Sequence, residues 1–278
     1  MAIDDLRNEI DGVNASGKRD RTVAVTGNQE IAPGFFRMRL ALPSANRVFS
    51  PGQFFQLAVG TGTTAPFLRR PFAPAELSPE SFAFVYAVVG EGTRLMSRLR
   101  PGDRVGLLAP LGKGYARPVS GSRVVLAGGG GGGPSLGPLA AALRENGTEV
   151  ISILGARTAG RLVGGDSLEP GSHRLVSCTD DGSAGFAGTA ADALAAEIAG
   201  GRVDAVFACG PAPMLKAVAR ITAAKNIPCQ VSMEERMACG FGACVGCVVE
   251  MLLPDGKGTK YGRVCHDGPV FDAGTIVW

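Results

Sequence analysis

The sequence predicts three successive units: an antiparallel β-barrel, a domain of strands and helices around a parallel sheet, and a small cysteine-rich module. Three observations carry this. Short apolar runs broken by turn dipeptides fill the first hundred residues, and strand-like and helix-like runs alternate over the next hundred. Four of the seven cysteines then fall within the last forty residues.

The 278 residues suit two domains plus a module, and the 45% apolar content is enough for packed cores. The 28 basic and 25 acidic residues leave a net charge of +3, which makes no case for nucleic acid or an anionic membrane surface. Residues 1–20 are charged and carry no apolar core of a secretory signal, so a solvated tail is expected there. Residues 124–143 lack charge over a span-like length. Six consecutive glycines and two prolines dilute that stretch too far for a membrane helix.

The expected barrel covers 21–118, with strands at 22–25, 35–42, 53–59, 82–89 and 104–109. Pro51-Gly52 and Pro101-Gly102 mark turns, and a short helix is expected at 93–99 with Thr93 as its N-cap. The α/β domain covers 119–232. Its strands are expected at 123–127, 149–154, 174–178, 205–209 and 229–233, and its helices at 135–145, 190–199 and 213–224. The module covers 233–278 and includes a small hairpin around Pro254-Asp255-Gly256.

The strongest chemical signal is Cys239-Gly-Phe-Gly-Ala-Cys244-Val-Gly-Cys247, followed by Cys265. Its C-x4-C-x2-C spacing is the plant-type [2Fe–2S] pattern. Four soft thiolates suit iron, and Gly240, Gly242, Ala243 and Gly246 let the backbone wrap closely around inorganic sulfide. A zinc site would favour paired C-x2-C knuckles, and only one such pair is present. Cys178 and Cys229 are expected as small buried hydrophobes. An odd cysteine number and the clustering point to metal ligation in a reducing compartment, hence the cytoplasm.

Two elements suit a flavin. Arg70 in Arg69-Arg70-Pro71-Phe72-Ala73-Pro74 can pair with phosphate oxygens, and Phe72 can stack on a ring. Alone, such a segment is more often a solvated strand end. The stretch from Val85, Tyr86 and Ala87 to Gly92 and Thr93 adds a strand, a Gly-rich turn and a helix start, whose amides form an anion site.

Gly128 to Gly133, including Gly130 and Gly132, stand between a strand and a helix, the setting of a Rossmann-like dinucleotide loop. No acidic residue closes the next strand. Arg157 follows it instead, which leaves NAD and NADP both open. Cys209 in Cys209-Gly210-Pro211-Ala212-Pro213-Met214 falls at the carboxyl edge of the sheet, where open α/β folds bind ligands.

This order of barrel, Arg-Pro-Phe-Ala, Gly-rich loop and Cys-Gly-Pro-x-Pro-Met resembles the ferredoxin–NADP reductase superfamily over residues 21–228. Glu234-Glu235-Arg236-Met237-Ala238-Cys239-Gly240, continuing to Cys247, is similar to the electron-transfer subunits of type B dihydroorotate dehydrogenases. Cys178-Thr-Asp180-Asp181-Gly182-Ser183 shares that likeness. The resemblance implies FAD contacts at Arg70–Ala73, Val85–Ala87 and Gly92–Thr93, and cluster ligation by Cys239, Cys244, Cys247 and Cys265. It also implies an FMN-containing catalytic partner that oxidises dihydroorotate in pyrimidine biosynthesis, two of each subunit in a heterotetramer, and NAD as electron acceptor. Ala73 stands where the family has Ser or Thr, and Ser135 where the loop has Pro.

Two other functions are compatible with part of this pattern. A reductase for ferredoxin, sulfur compounds or an oxygenase shares the flavin and dinucleotide motifs, but 46 residues from Met233 to Trp278 are few for a complete ferredoxin domain. An iron–sulfur sensor without catalysis needs no flavin motif, so purified protein lacking FAD would favour it.

Overall fold

The computed structural model describes residues 19–59, 66–116, 118 and 120–278. The expected tail therefore lies outside the described residues except for Arg19 and Asp20, which open the first strand instead of ending a tail. Asp20 also forms an ion pair with Arg69 at 2.8 Å.

The barrel contains β1 (Arg19–Ala32), β2 (Phe35–Ala41), helix α1 (Ala45–Val48), β3 (Phe54–Ala58), β4 (Arg70–Phe72), β5 (Glu76–Leu77), β6 (Ser81–Ala87), helix α2 (Glu91–Met96) and β7 (Arg104–Leu111). The strands are antiparallel in the order β4-β3-β7-β1-β2-β6-β5. The fourteen-residue β1 bends the sheet around its core. Its first part pairs with β7 and its second with β2, with register shifts after Val25 and Glu30. Aromatic rings fill the interior: Phe55 lies 4.9 Å from Phe82 and 5.0 Å from Phe84 in edge-to-face packing.

The α/β domain follows with β8 (Arg123–Gly129), a 3-10 turn (Gly130–Leu136), α3 (Gly137–Glu145), β9 (Glu149–Ala156), α4 (Gly165–Leu168), β10 (Arg174–Thr179), β11 (Phe186–Ala187), α5 (Ala190–Gly200), β12 (Ala205–Cys209), α6 (Ala212–Ala224) and β13 (Cys229–Ser232). Alternation along β8 shows why helices cover both faces. Val125 and Ala127 pack with Leu194 and Leu215 of α5 and α6, whereas Val124 and Leu126 pack with Leu139 and Leu143 of α3.

The last segment contains β14 (Val248–Leu252), β15 (Thr259–Arg263) and β16 (Val270–Asp272). The first two form the expected hairpin. β16 pairs antiparallel with β13, at the end of the order β11-β10-β9-β8-β12-β13-β16. Cys247, Val264, Cys265 and Phe271 share one core with Val231 of the sheet and with Phe54 and Leu111 of the barrel. Among the described residues, no helix is long and apolar enough to cross a membrane.

Candidate functional site

The three units meet at a cleft of about 330 Å³. Pro71 and Phe72 line it from β4, with Ala73 just beyond, and Val85, Tyr86 and Ala87 from β6. Thr93 of α2, Gly132 and Cys209, and Glu234, Glu235 and Met237 complete the lining. The sequence thus scatters from Pro71 to Met237 what the fold brings to one place, because β4, β6, β8 and β12 all end there.

Arg70, Gly92 and Gly130 are not among the lining residues. Arg70 instead lies over Gly92, where a Cβ would stand 2.6 Å from its Cζ. Its Nη1 donates to the carbonyl of Leu68. The guanidinium is therefore held beside the first turn of α2, whose amides lack intrahelical acceptors. A cation and a helix N-terminus together suit a diphosphate.

Thr93 is not the N-cap. That position is Gly90, and Thr93 is the third helical residue. Its Oγ1 accepts from the amides of Val89 at 2.9 Å and Gly90 at 3.2 Å and donates to Gly90 O at 3.1 Å. The hydroxyl reaches back around the turn, so the helix starts two residues before the capping-type residue. Phe72 lines the cleft and also packs into the barrel. Its ring lies 4.9 Å from Phe84 and 6.0 Å from Tyr86, so the barrel aromatics already engage it.

The glycine loop is a 3-10 turn whose small residues are required by the protein itself. A Cβ on Gly128 would meet Cα of Gly133 at 2.6 Å, and one on Gly132 would meet Sγ of Cys209 at 2.9 Å. Gly130 and Gly131 face open space, which leaves backbone available to a ligand. Ser135 donates to Gly132 O at 2.7 Å and lies 3.3 Å from Cys209 Sγ. Burial, and secondarily the charge of Glu234, push the Cys209 thiol up to about 12. Glu234 is exposed overall but desolvated where it faces the cleft, which raises its pKa. Tyr115 escaped the sequence reading. It stacks edge-on against Phe207 at 5.6 Å and its hydroxyl donates to Ala208 O at 3.3 Å behind Cys209.

The cysteine loop begins two residues after Met237. Cys239 Sγ accepts from the amide of Cys244, and Cys247 Sγ from that of Cys265, each at 3.4 Å. Burial pushes the Cys239 thiol up, but the amides of Cys244, Phe241 and Ala243 outweigh it and bring the pKa down to about 6. Cys265 is driven the other way, to about 12, by burial and then by Cys247 beside it. No group of three or more His, Cys, Asp or Glu among the described residues is gathered as for a single metal ion. The donor set fits a sulfide-bridged cluster, with amides aimed at sulfur and backbone turned at Gly240 (φ +77°) and Gly242 (φ +96°). Gln56 of β3, also missed by the sequence reading, is fully buried and reaches this loop. Its Nε2 contacts Ala238 O at 3.5 Å, and its Oε1 lies 2.8 Å from where a Cβ of Gly240 would be.

Residues 234–277 match the family model of the iron–sulfur cluster binding domain of dihydroorotate dehydrogenase B. The electron transfer subunit of dihydroorotate dehydrogenase B (NAD(+)) from Desulforamulus reducens is 36% identical over 89% of this chain and 94% of its own length. That from Bacillus caldolyticus is 38% identical over 94% and 99%. The structure of an NADH-dependent reduced ferredoxin–NADP oxidoreductase involved in flavin-based electron bifurcation superposes with a TM-score of 0.81 at 30% identity, covering 92% of this chain and 90% of that one. A ferredoxin reductase of carbazole 1,9a-dioxygenase shares the fold, with a TM-score of 0.65 at 22% identity over 77% and 68%. This chain belongs to the family of dihydroorotate dehydrogenase B electron transfer subunits.

Proposed function

We propose that this chain passes electrons from the FMN of a dihydroorotate-oxidising catalytic subunit, through a [2Fe–2S] cluster and FAD, to NAD+ in pyrimidine biosynthesis. Two copies of each subunit form the working complex in the cytoplasm. The observation that carries this is convergence: the flavin-side strands, the glycine loop and the approach to the cysteine loop line one cleft.

FAD, when bound, exchanges electron pairs with a nicotinamide and single electrons with an iron–sulfur centre. This chain's residues do the placing. Arg70 and the first turn of α2 hold the diphosphate, while Pro71–Ala73 and Val85–Ala87 form the wall along the flavin. Gly130 and Gly131 present bare backbone to the dinucleotide, with Gly132 packed against Cys209. Cys209 remains a neutral thiol at working pH and adds no charge where a nicotinamide ring approaches. Cys239, Cys244, Cys247 and Cys265 hold the cluster, and the loop amides soften the charge on its thiolates.

The test is dihydroorotate-dependent NADH formation by the purified FAD- and iron-containing chain, alone and mixed with the catalytic subunit of the same genome. Activity in the mixture only is expected. The 30% identity to the ferredoxin–NADP oxidoreductase favours one second reading, an NAD(P)H-linked ferredoxin reductase. Ferredoxin turnover by the chain alone, with no coupling to dihydroorotate, would select it.

A further inference from the structure

Arg263 ends β15, and its side chain joins the two segments that bear the cysteines. Nη1 donates to the carbonyl of Gly242, inside the first cysteine loop, at 3.1 Å. Nε donates to Asp267 Oδ2 at 3.1 Å, and the Arg263 amide donates to the same oxygen at 2.9 Å. The Arg263 carbonyl accepts the amides of His266 at 3.0 Å and Asp267 at 2.7 Å. Cys265 is thus held in a turn wound around Arg263, while Val264 N donates to Cys247 O at 2.7 Å. The His266 ring fills the place of a Cβ on Gly242, with Cγ and Cδ2 each 3.0 Å away. Both charged side chains are only 34% exposed, so neither swings freely.

A four-thiolate [2Fe–2S] group gains one negative charge on reduction. A fixed cation nearby favours the reduced form, and a fixed anion opposes it. We propose that the Arg263–Asp267 pair sets the reduction potential of the cluster, with Arg263 drawing it up and Asp267 drawing it down. Arg263 is thereby also the positioning residue that keeps Gly242 and Cys265 in register. The inference rests on the four-cysteine cluster proposed above.

The test is a redox titration of the FAD- and cluster-loaded chain, following the electron paramagnetic resonance signal of the reduced cluster, with iron and sulfide analysis. R263Q is expected to lower the midpoint and D267N to raise it. Each shift is on the order of tenfold in the reduced-to-oxidised ratio at fixed potential, about 59 mV for one electron. R263K keeps the charge and is expected to keep the midpoint. Midpoints that move in the same direction, or not at all, with iron content intact would overturn the proposal, because mere loosening has no charge sign. If R263Q fails to hold iron, D267N decides alone: a rise supports the proposal and an unmoved or lower midpoint overturns it. Unmodified protein without iron and sulfide would overturn the cluster reading itself, and this inference with it.

Discussion

The guanidinium of Arg70 occupies the space that a side chain on Gly92 would need. A Cβ there would stand 2.6 Å from Cζ and 2.8 Å from Nη2. Gly92→Ala should push the guanidinium off the helix start and remove a charge-assisted contact worth about 1.5–3 kcal/mol. FAD affinity should then fall by at least about tenfold. Flavin release during dialysis measures it, and unchanged retention would place the diphosphate elsewhere.

Cys265 lies on a turn distant in sequence from the other proposed ligands. Cys265→Ser should remove most of the iron and bleach the cluster absorbance, while FAD stays bound in its cleft. Cys178→Ala, in β10, should leave iron unchanged. A normal cluster spectrum in Cys265→Ser would mean another residue is the fourth ligand.

Gly240 combines a left-handed backbone (φ +77°) with the Gln56 amide in its Cβ direction, 2.8 Å from Oε1. Gly240→Ala should cost about 1–3 kcal/mol of local strain and lower cluster occupancy. Gln56→Ala in the same chain opens the space and should recover part of the iron content. Equal loss in the single and double variants would show that the backbone angle alone matters.

Thiol reactivity in cluster-free protein should follow the local fields. Loop amides bring Cys239 down to about 6 against the opposing effect of burial, so it is largely thiolate at pH 7. Burial pushes Cys178 up to about 11 and Cys209 and Cys229 up to about 12, so these three remain protonated until the pH approaches those values. Iodoacetamide at pH 7 should label Cys239 before any of the three, as read by peptide mass spectrometry. Loading the cluster should protect it. Preferential labelling of a strand cysteine would contradict this order.

Much of this was written locally. Five of the seven barrel strands, the β8 to α3 glycine loop and the C-x4-C-x2-C run are all signals within a few residues, so sequence alone located them, whereas the short β4 and β5 were not expected. Boundaries moved where a side chain acts backwards: Thr93 looks like an N-cap because such residues often are, yet its hydroxyl serves amides already behind it. The edge strand β16 was missed because three residues carry too little pattern, and its pairing with β13 is a long-range event. Gln56, Tyr115 and Arg263 carried no motif. A buried glutamine in an apolar strand or an arginine at a hairpin end has no meaning until its partner is known.

The sequence by itself determined the chemical inventory: an arginine before Pro-Phe, bare glycine backbone and four clustered thiols, three of them at the plant-type iron–sulfur spacing. These depend on residue type and short spacing, which the covalent chain fixes directly. Only the tertiary structure decided how they meet. It placed Arg70 on Gly92, Gln56 on Gly240, and Arg263 against Gly242. Each contact joins segments whose approach is set by strand order and core packing, and no local preference encodes that.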